Sequence, residues 1–122
     1  MKKNTIKTSF QSIDLVVLSP NKEFILAFGE MKSGTEKQQK LQKRLEVINF
    51  QKRTMLYFFN PTNKIKSIAF ADDSSFFCYL TKEGISVCRK QEKHSPTFYQ
   101  LPDAKQKKYI DLTVTGSYIY VL

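Results

Sequence analysis

The apolar residues of this chain come in runs of about four to six, and a turn signal follows almost every run. Ile13–Leu18 leads into Ser19-Pro20-Asn21-Lys22, where Pro20 presets φ and Asn21 tolerates unusual backbone angles. Phe24–Phe28 follows, closed by Gly29, and then come Leu45–Phe50 and Met55–Phe59, the last ended by Asn60-Pro61. Ile65–Phe70, Phe76–Leu80 and Ile85–Cys88 are separated by Ala71-Asp72-Asp73-Ser74 and Lys82-Glu83-Gly84. Tyr109–Val114, Thr115-Gly116 and Tyr118–Leu122 complete the pattern. Runs this short, rich in β-branched and aromatic residues, predict an all-β chain. None approaches the roughly 18–20 apolar residues of a membrane-spanning helix.

Composition narrows the class further. Hydrophobic residues make up 41% of the 122 positions, with ten Phe and six Tyr, too apolar for a disordered tail. Met1–Phe10 has basic residues but no apolar segment behind them, which argues against a secretory signal. Two cysteines do not make a disulfide framework, so a reducing, cytoplasmic compartment is expected.

The formal net charge of +9 invites a polyanionic partner. The cations cluster. Residues 1–11 form a basic N-terminal segment with Lys2, Lys3 and Lys7. Residues 31–44 read as a polar inserted loop with Lys32, Lys37, Lys40, Lys43 and Arg44 against Glu36 alone. Arg89, Lys90 and Lys93 form a third group, and Lys105, Lys107 and Lys108 a fourth. No helix with a sustained basic face is predicted, which disfavours insertion of a basic helix into a major groove.

An internal repeat emerges at an offset of 52 residues. Ile13 matches Ile65, Val16 matches Ile68, Leu18 matches Phe70 and Phe24 matches Phe76, with the turns in register. A third copy starts near Ile110, 45 residues after Ile65, with its turn shortened to Thr115-Gly116. The units span 12–63, 64–108 and a partial 109–122. Short strands repeating at such a period are the signature of propeller blades, whose alternating apolar residues pack between neighbours.

The segment Leu18-Ser19-Pro20-Asn21-Lys22-Glu23-Phe24-Ile25-Leu26-Ala27 resembles the strand–turn–strand opening of a WD-repeat blade. Ile68–Phe77 resembles the same element one blade later, and Lys82-Glu83-Gly84-Ile85-Ser86-Val87-Cys88 resembles the following strand, with Cys88 where Trp usually stands. The Gly-His and Trp-Asp dipeptides of such repeats are absent. The long basic insert before Leu45 is similar to those of the large cilia- and flagella-associated WD-repeat proteins. That resemblance implies two to three antiparallel WD40-like blades of an incomplete propeller. It further implies a non-catalytic scaffold in an axonemal assembly of the cilium or flagellum, with dynein-associated proteins or tubulin as partners. Eukaryotic initiation-factor propellers share the inserted loop and a strand like Thr81–Val87, and imply ribosome or RNA as the alternative partner.

Propellers close with four to eight blades. Two to three blades leave three readings open: a piece of a longer protein, blades completed by another chain, or a self-contained all-β domain.

Chemistry-bearing residues are few. His94 is the single histidine, and its spacing from Cys78 and Cys88 matches no zinc pattern. The cysteines lie in predicted strands and are expected to be buried structural thiols. Asp72-Asp73 sits in a turn, where Asp caps its own backbone. Phe58, Phe59, Phe76, Phe77, Tyr79, Tyr118 and Tyr120 are expected to fill interfaces between blades. No catalytic, cofactor or metal site is expected. The candidate partner-binding residues are Lys37, Lys40, Lys43, Arg44, Arg89, Lys90 and Lys93, the first four expected to face acidic protein surfaces.

Overall fold

A computed structural model of the chain describes residues 10–33, 40–89, 96–102, 108–116 and 118–122. Among the described residues, ten strands form three antiparallel units and no helix occurs. Sheet 1 is the meander β1 (Ser12–Leu18), β2 (Phe24–Ser33), β3 (Lys40–Asn49) and β4 (Thr54–Phe59). Sheet 2 repeats that order with β5 (Ser67–Phe70), β6 (Phe76–Leu80), β7 (Gly84–Arg89) and β8 (Thr97–Gln100). A hairpin of β9 (Leu112–Thr115) and β10 (Tyr118–Val121) follows.

The three units stack as layers. Leu26, Phe28, Leu45 and Val47 of sheet 1 pack on Phe77, Tyr79 and Cys88 of sheet 2, with Ile65 at their margin. The opposite face of sheet 2, with Cys78, Leu80, Ile85 and Val87, packs on Leu112 and Val114 of the hairpin. Sheet 2 is therefore buried on both faces, which explains why Phe77 through Leu80 are all buried rather than alternating. The first strands of successive units lie side by side. The Lys66 ammonium donates to the Tyr109 carbonyl (3.1 Å), and the Ser67 hydroxyl donates to the Asp111 carboxylate (2.6 Å).

The offset of 52 holds in backbone detail. The Ser19 N–H donates to the Phe24 carbonyl, and the Ala71 N–H donates to the Phe76 carbonyl. Lys22 N–H reaches Ser19 C=O as Ser74 N–H reaches Ala71 C=O. Lys22 and Ser74, not Asn21, take the left-handed conformation. In the first turn the Ser19 hydroxyl accepts from the Glu23 and Phe24 N–H groups and donates to Asn21 Oδ1, so a buried polar side chain is fully used.

Four details of the sequence reading are corrected. The inserted loop expected over 31–44 is strand at both of its described ends: Met31–Ser33 prolong β2 and Lys40–Arg44 begin β3, in continuous register from Phe24↔Asn49 to Ser33↔Lys40, and 34–39 lie outside the described residues. Cross-strand pairing supplied backbone partners that polar, Lys-rich composition does not announce. Gly29 does not close a strand but sits within β2, where a Cβ would overlap the Ser12 carbonyl oxygen. Strand β8, Thr97–Gln100, was not anticipated, and pairs with β7 from Gly84↔Gln100 to Val87↔Thr97.

The third unit aligns at 44 residues, not 45. Leu112 and Val114 are the buried residues that answer to Ile68 and Phe70, whereas Ile110 is exposed. Side chains alternate across a strand, so a slip of one residue exchanges the two faces.

Candidate functional site

The feature that sets sheet 1 apart is the length of its central hairpin. β2 and β3 have ten residues each, against five and six in β6 and β7. The surplus forms an arm, Glu30–Ser33 paired with Lys40–Lys43. Lys32 and Lys40 are exposed on it, Lys43 is half-buried opposite Glu30, and Leu41 is exposed beside them. Lys32 and Lys43 share one face and Lys40 the other, so the arm is basic on both sides.

Arg44 stands at the base of the arm, and its guanidinium is engaged within the sheet. It stacks 3.6 Å from the Phe58 ring centroid. Its Nη1 donates to Met31 Sδ (3.1 Å), and its Nε lies 3.4 Å from the Glu46 carboxylate without an aligned hydrogen bond. Glu46 is 5% exposed. Burial pushes its carboxyl above the usual range, and the positive charge of Arg44 pulls it back down. Arg44 thus compensates a buried acid as well as adding charge. In Leu45–Phe50, Glu46 alternates with Leu45 and Val47 and shares its face with the apolar Ile48, and both Glu46 and Ile48 are buried because that second face is covered as well.

The other predicted positions are dispersed. Arg89 ends β7, exposed, with Nη1 3.5 Å from Thr97 Oγ1 on β8. Lys37, Lys90 and Lys93 lie outside the described residues, as does His94. Of the seven predicted cations, the structure brings Lys40, Lys43 and Arg44 together on β3 and places Arg89 on the next sheet. Lys32, part of the same basic cluster in sequence, joins them through cross-strand pairing.

Neither cysteine is placed for chemistry. Cys78 and Cys88 are free and buried, on opposite faces of sheet 2. Burial pushes both thiols up to about 12, the reverse of an activated nucleophile. Asp73 accepts from the Ser75 N–H (2.9 Å) and hydroxyl (2.6 Å), which holds its carboxyl low and closes the turn on itself. Among the described residues, no three His, Cys, Asp or Glu side chains are grouped to hold a metal ion, and no helix is long and apolar enough to cross a membrane.

An open groove runs beside the hairpin, lined by Asp72, Asp73, Phe76, Arg89, Tyr99 and Ile119. It lies where the hairpin's two strands fail to span the four-stranded width of sheet 2. No protein-family model matches the chain, and no curated protein matches it in sequence.

Proposed function

We propose that the chain is a non-catalytic interaction scaffold made of WD-type propeller blades, which docks onto an acidic protein surface through the basic β2–β3 arm. The observation that carries this reading is the coincidence of two four-stranded meanders, alike in strand order and in the backbone hydrogen bonds of their first turn at one sequence offset, with the arm drawn out of one of them. Repetition fits a stacking scaffold, and a basic ribbon on one unit fits recognition. The resemblance to axonemal WD-repeat proteins makes a ciliary assembly the proposed setting, and tubulin's acidic tails the proposed surface.

The test is co-sedimentation of the purified chain with doublet microtubules, before and after proteolytic trimming of the acidic tails. Binding should fall on trimming and in the triple variant Lys32→Gln, Lys40→Gln, Lys43→Gln, whose folded spectrum should be unchanged. Equal binding to trimmed and intact doublets would reject the docking role. Displacement by mixed-sequence RNA would move the assignment to the ribosome-binding alternative.

A further inference from the structure

Strand β3 pairs with β2 from Lys40 to Asn49, but with β4 only from Leu45 to Asn49. The limit is written in the sequence. Continuing the β3–β4 register past Leu45↔Phe59 sets Pro61 opposite Lys43, and proline has no N–H to give a ladder. The Asn60 side-chain amide donates to the Lys43 carbonyl instead (3.2 Å), and β4 ends. That bond also fixes the direction of the edge. Backbone groups two residues apart on a strand face the same side, so the N–H and C=O of Leu41 point away from β2, as the Lys43 carbonyl does. Among the described residues, no strand lies along that side of Leu41.

One face of the arm is open for an equally internal reason. At the offset of 52, Leu80 answers to Phe28. The β6–β7 hairpin turns back at that level, with the Thr81 N–H donating to the Gly84 carbonyl, whereas β2 and β3 run on. Leu45 and Leu41 share a face, yet Leu45 is fully buried in the core with sheet 2 and Leu41 is 61% exposed. Lys32 pairs with Leu41, and Lys43 with Glu30, on that same face. Lys40 is exposed on the other.

An open edge with this flank restricts what can pair with it. A second copy would bring the same lysines, and lysines along an edge guard against such self-pairing. An extended acidic segment gains backbone pairing and charge together. We propose that the β3 edge of the arm receives an acidic peptide by strand addition, its backbone pairing with Leu41, an apolar side chain over Leu41 and carboxylates beside Lys40 and Lys43. Those lysines lie on opposite faces, so the segment they fit is a run of acids rather than an alternation. Strand addition rests on the docking role proposed above and specifies how the arm engages its partner.

Fluorescence anisotropy of the full chain with a labelled peptide, one valine between runs of glutamate, tests this mode of binding. Two further versions of the peptide carry backbone N-methyl groups on alternate residues, one in each phase, with the charge unchanged. A paired strand turns every second N–H to its neighbour. One N-methylated phase should therefore bind at least about tenfold more weakly, and the other like the parent. Equal binding by the two phases, strong or weak, overturns strand addition, and so does a parent peptide that does not bind at low salt. Leu41→Pro removes the edge N–H without touching the β2 ladder, and should weaken the parent peptide by at least about tenfold. Circular dichroism checks its fold. Unchanged binding by a folded Leu41→Pro chain overturns the proposal, and if that variant unfolds, the two N-methylated peptides decide on the wild-type chain. Doublets that sediment with the folded Leu41→Pro chain as with wild type, but not with the triple glutamine variant, would overturn strand addition and leave the docking role. A phase difference between the peptides without any binding to doublets would overturn the axonemal docking role alone.

Discussion

Lys22 and Ser74 share one left-handed backbone conformation, with φ of 60° and 63°, at positions 52 residues apart in the chain. They also meet at the same rim, where the Asn21 N–H donates to Ser74 Oγ across the two sheets (3.1 Å). Neither residue is glycine, so each turn carries a conformational cost of about 1 kcal/mol. Lys22→Gly should therefore raise unfolding stability by roughly that amount. Ser74→Gly relieves the same cost but removes the acceptor for Asn21, and should gain less. Urea denaturation of the two variants measures the difference, and equal gains would deny the bridge any energetic role.

Glycines 29 and 116 separate two reasons for a missing side chain. Gly29→Ala would drive a Cβ into the Ser12 carbonyl oxygen and should cost at least about 2 kcal/mol, because backbone must move. Gly116 has φ of +58° with open space around it, so Gly116→Ala should cost only about 1 kcal/mol of backbone strain. Thermal melts of both variants should rank them in that order.

Removing the Arg44 charge leaves Glu46 buried without compensation. Arg44→Met, which keeps apolar contact with Phe58, should destabilise the fold by about 3 kcal/mol at neutral pH. The loss should shrink in acid. The carboxyl of Glu46 is raised by burial, so the unfolded chain ionises it at lower pH than the folded chain does. Stability from this group is complete below the ordinary value of 4.5 and falls as pH rises towards the folded value. Without Arg44 that window widens upward. Adding Glu46→Gln to the variant should abolish the extra pH dependence, as read from urea midpoints in acid and at neutrality.

Cys78 and Cys88 should resist iodoacetamide at mildly alkaline pH in the folded chain and react together on denaturation. Their thiols are pushed up to about 12 from an ordinary value of 9.0. Unfolded thiols lose their protons first, so this contribution to stability declines as pH rises between those values. Mass spectrometry of the alkylated native chain checks it: one modified cysteine before unfolding would place that thiol at the surface.

The sequence exposed the parts of the fold that depend on local chemistry. Ser19-Pro20-Asn21-Lys22 marks its turn through Pro20 and Asn21, and Phe76–Leu80 is bounded by turn signals on both sides, so both are placed correctly. The arm was hidden because Lys40–Arg44 has the composition of a solvated loop, and only pairing with Gly29–Ser33 makes it a strand. Thr97–Gln100 was hidden for another reason: Phe98 and Tyr99 favour a strand, but the run is only four residues long and lies on a sheet edge between polar segments. Of the candidate site, the clustering of Lys32, Lys40, Lys43 and Arg44 was legible as charge, but its shape and the engagement of Arg44 with Glu46 and Phe58 were not.

The amino-acid sequence by itself determined an all-β chain, the turn positions and the repeat at 52, because turns and alternation are encoded within a few residues. Tertiary structure decided which face of each strand is covered, that Glu46 is buried with Arg44, and that the third unit aligns at 44. Those depend on neighbours distant along the chain. A one-residue change of register leaves local propensities almost untouched, yet it exchanges the buried and exposed faces of an entire strand.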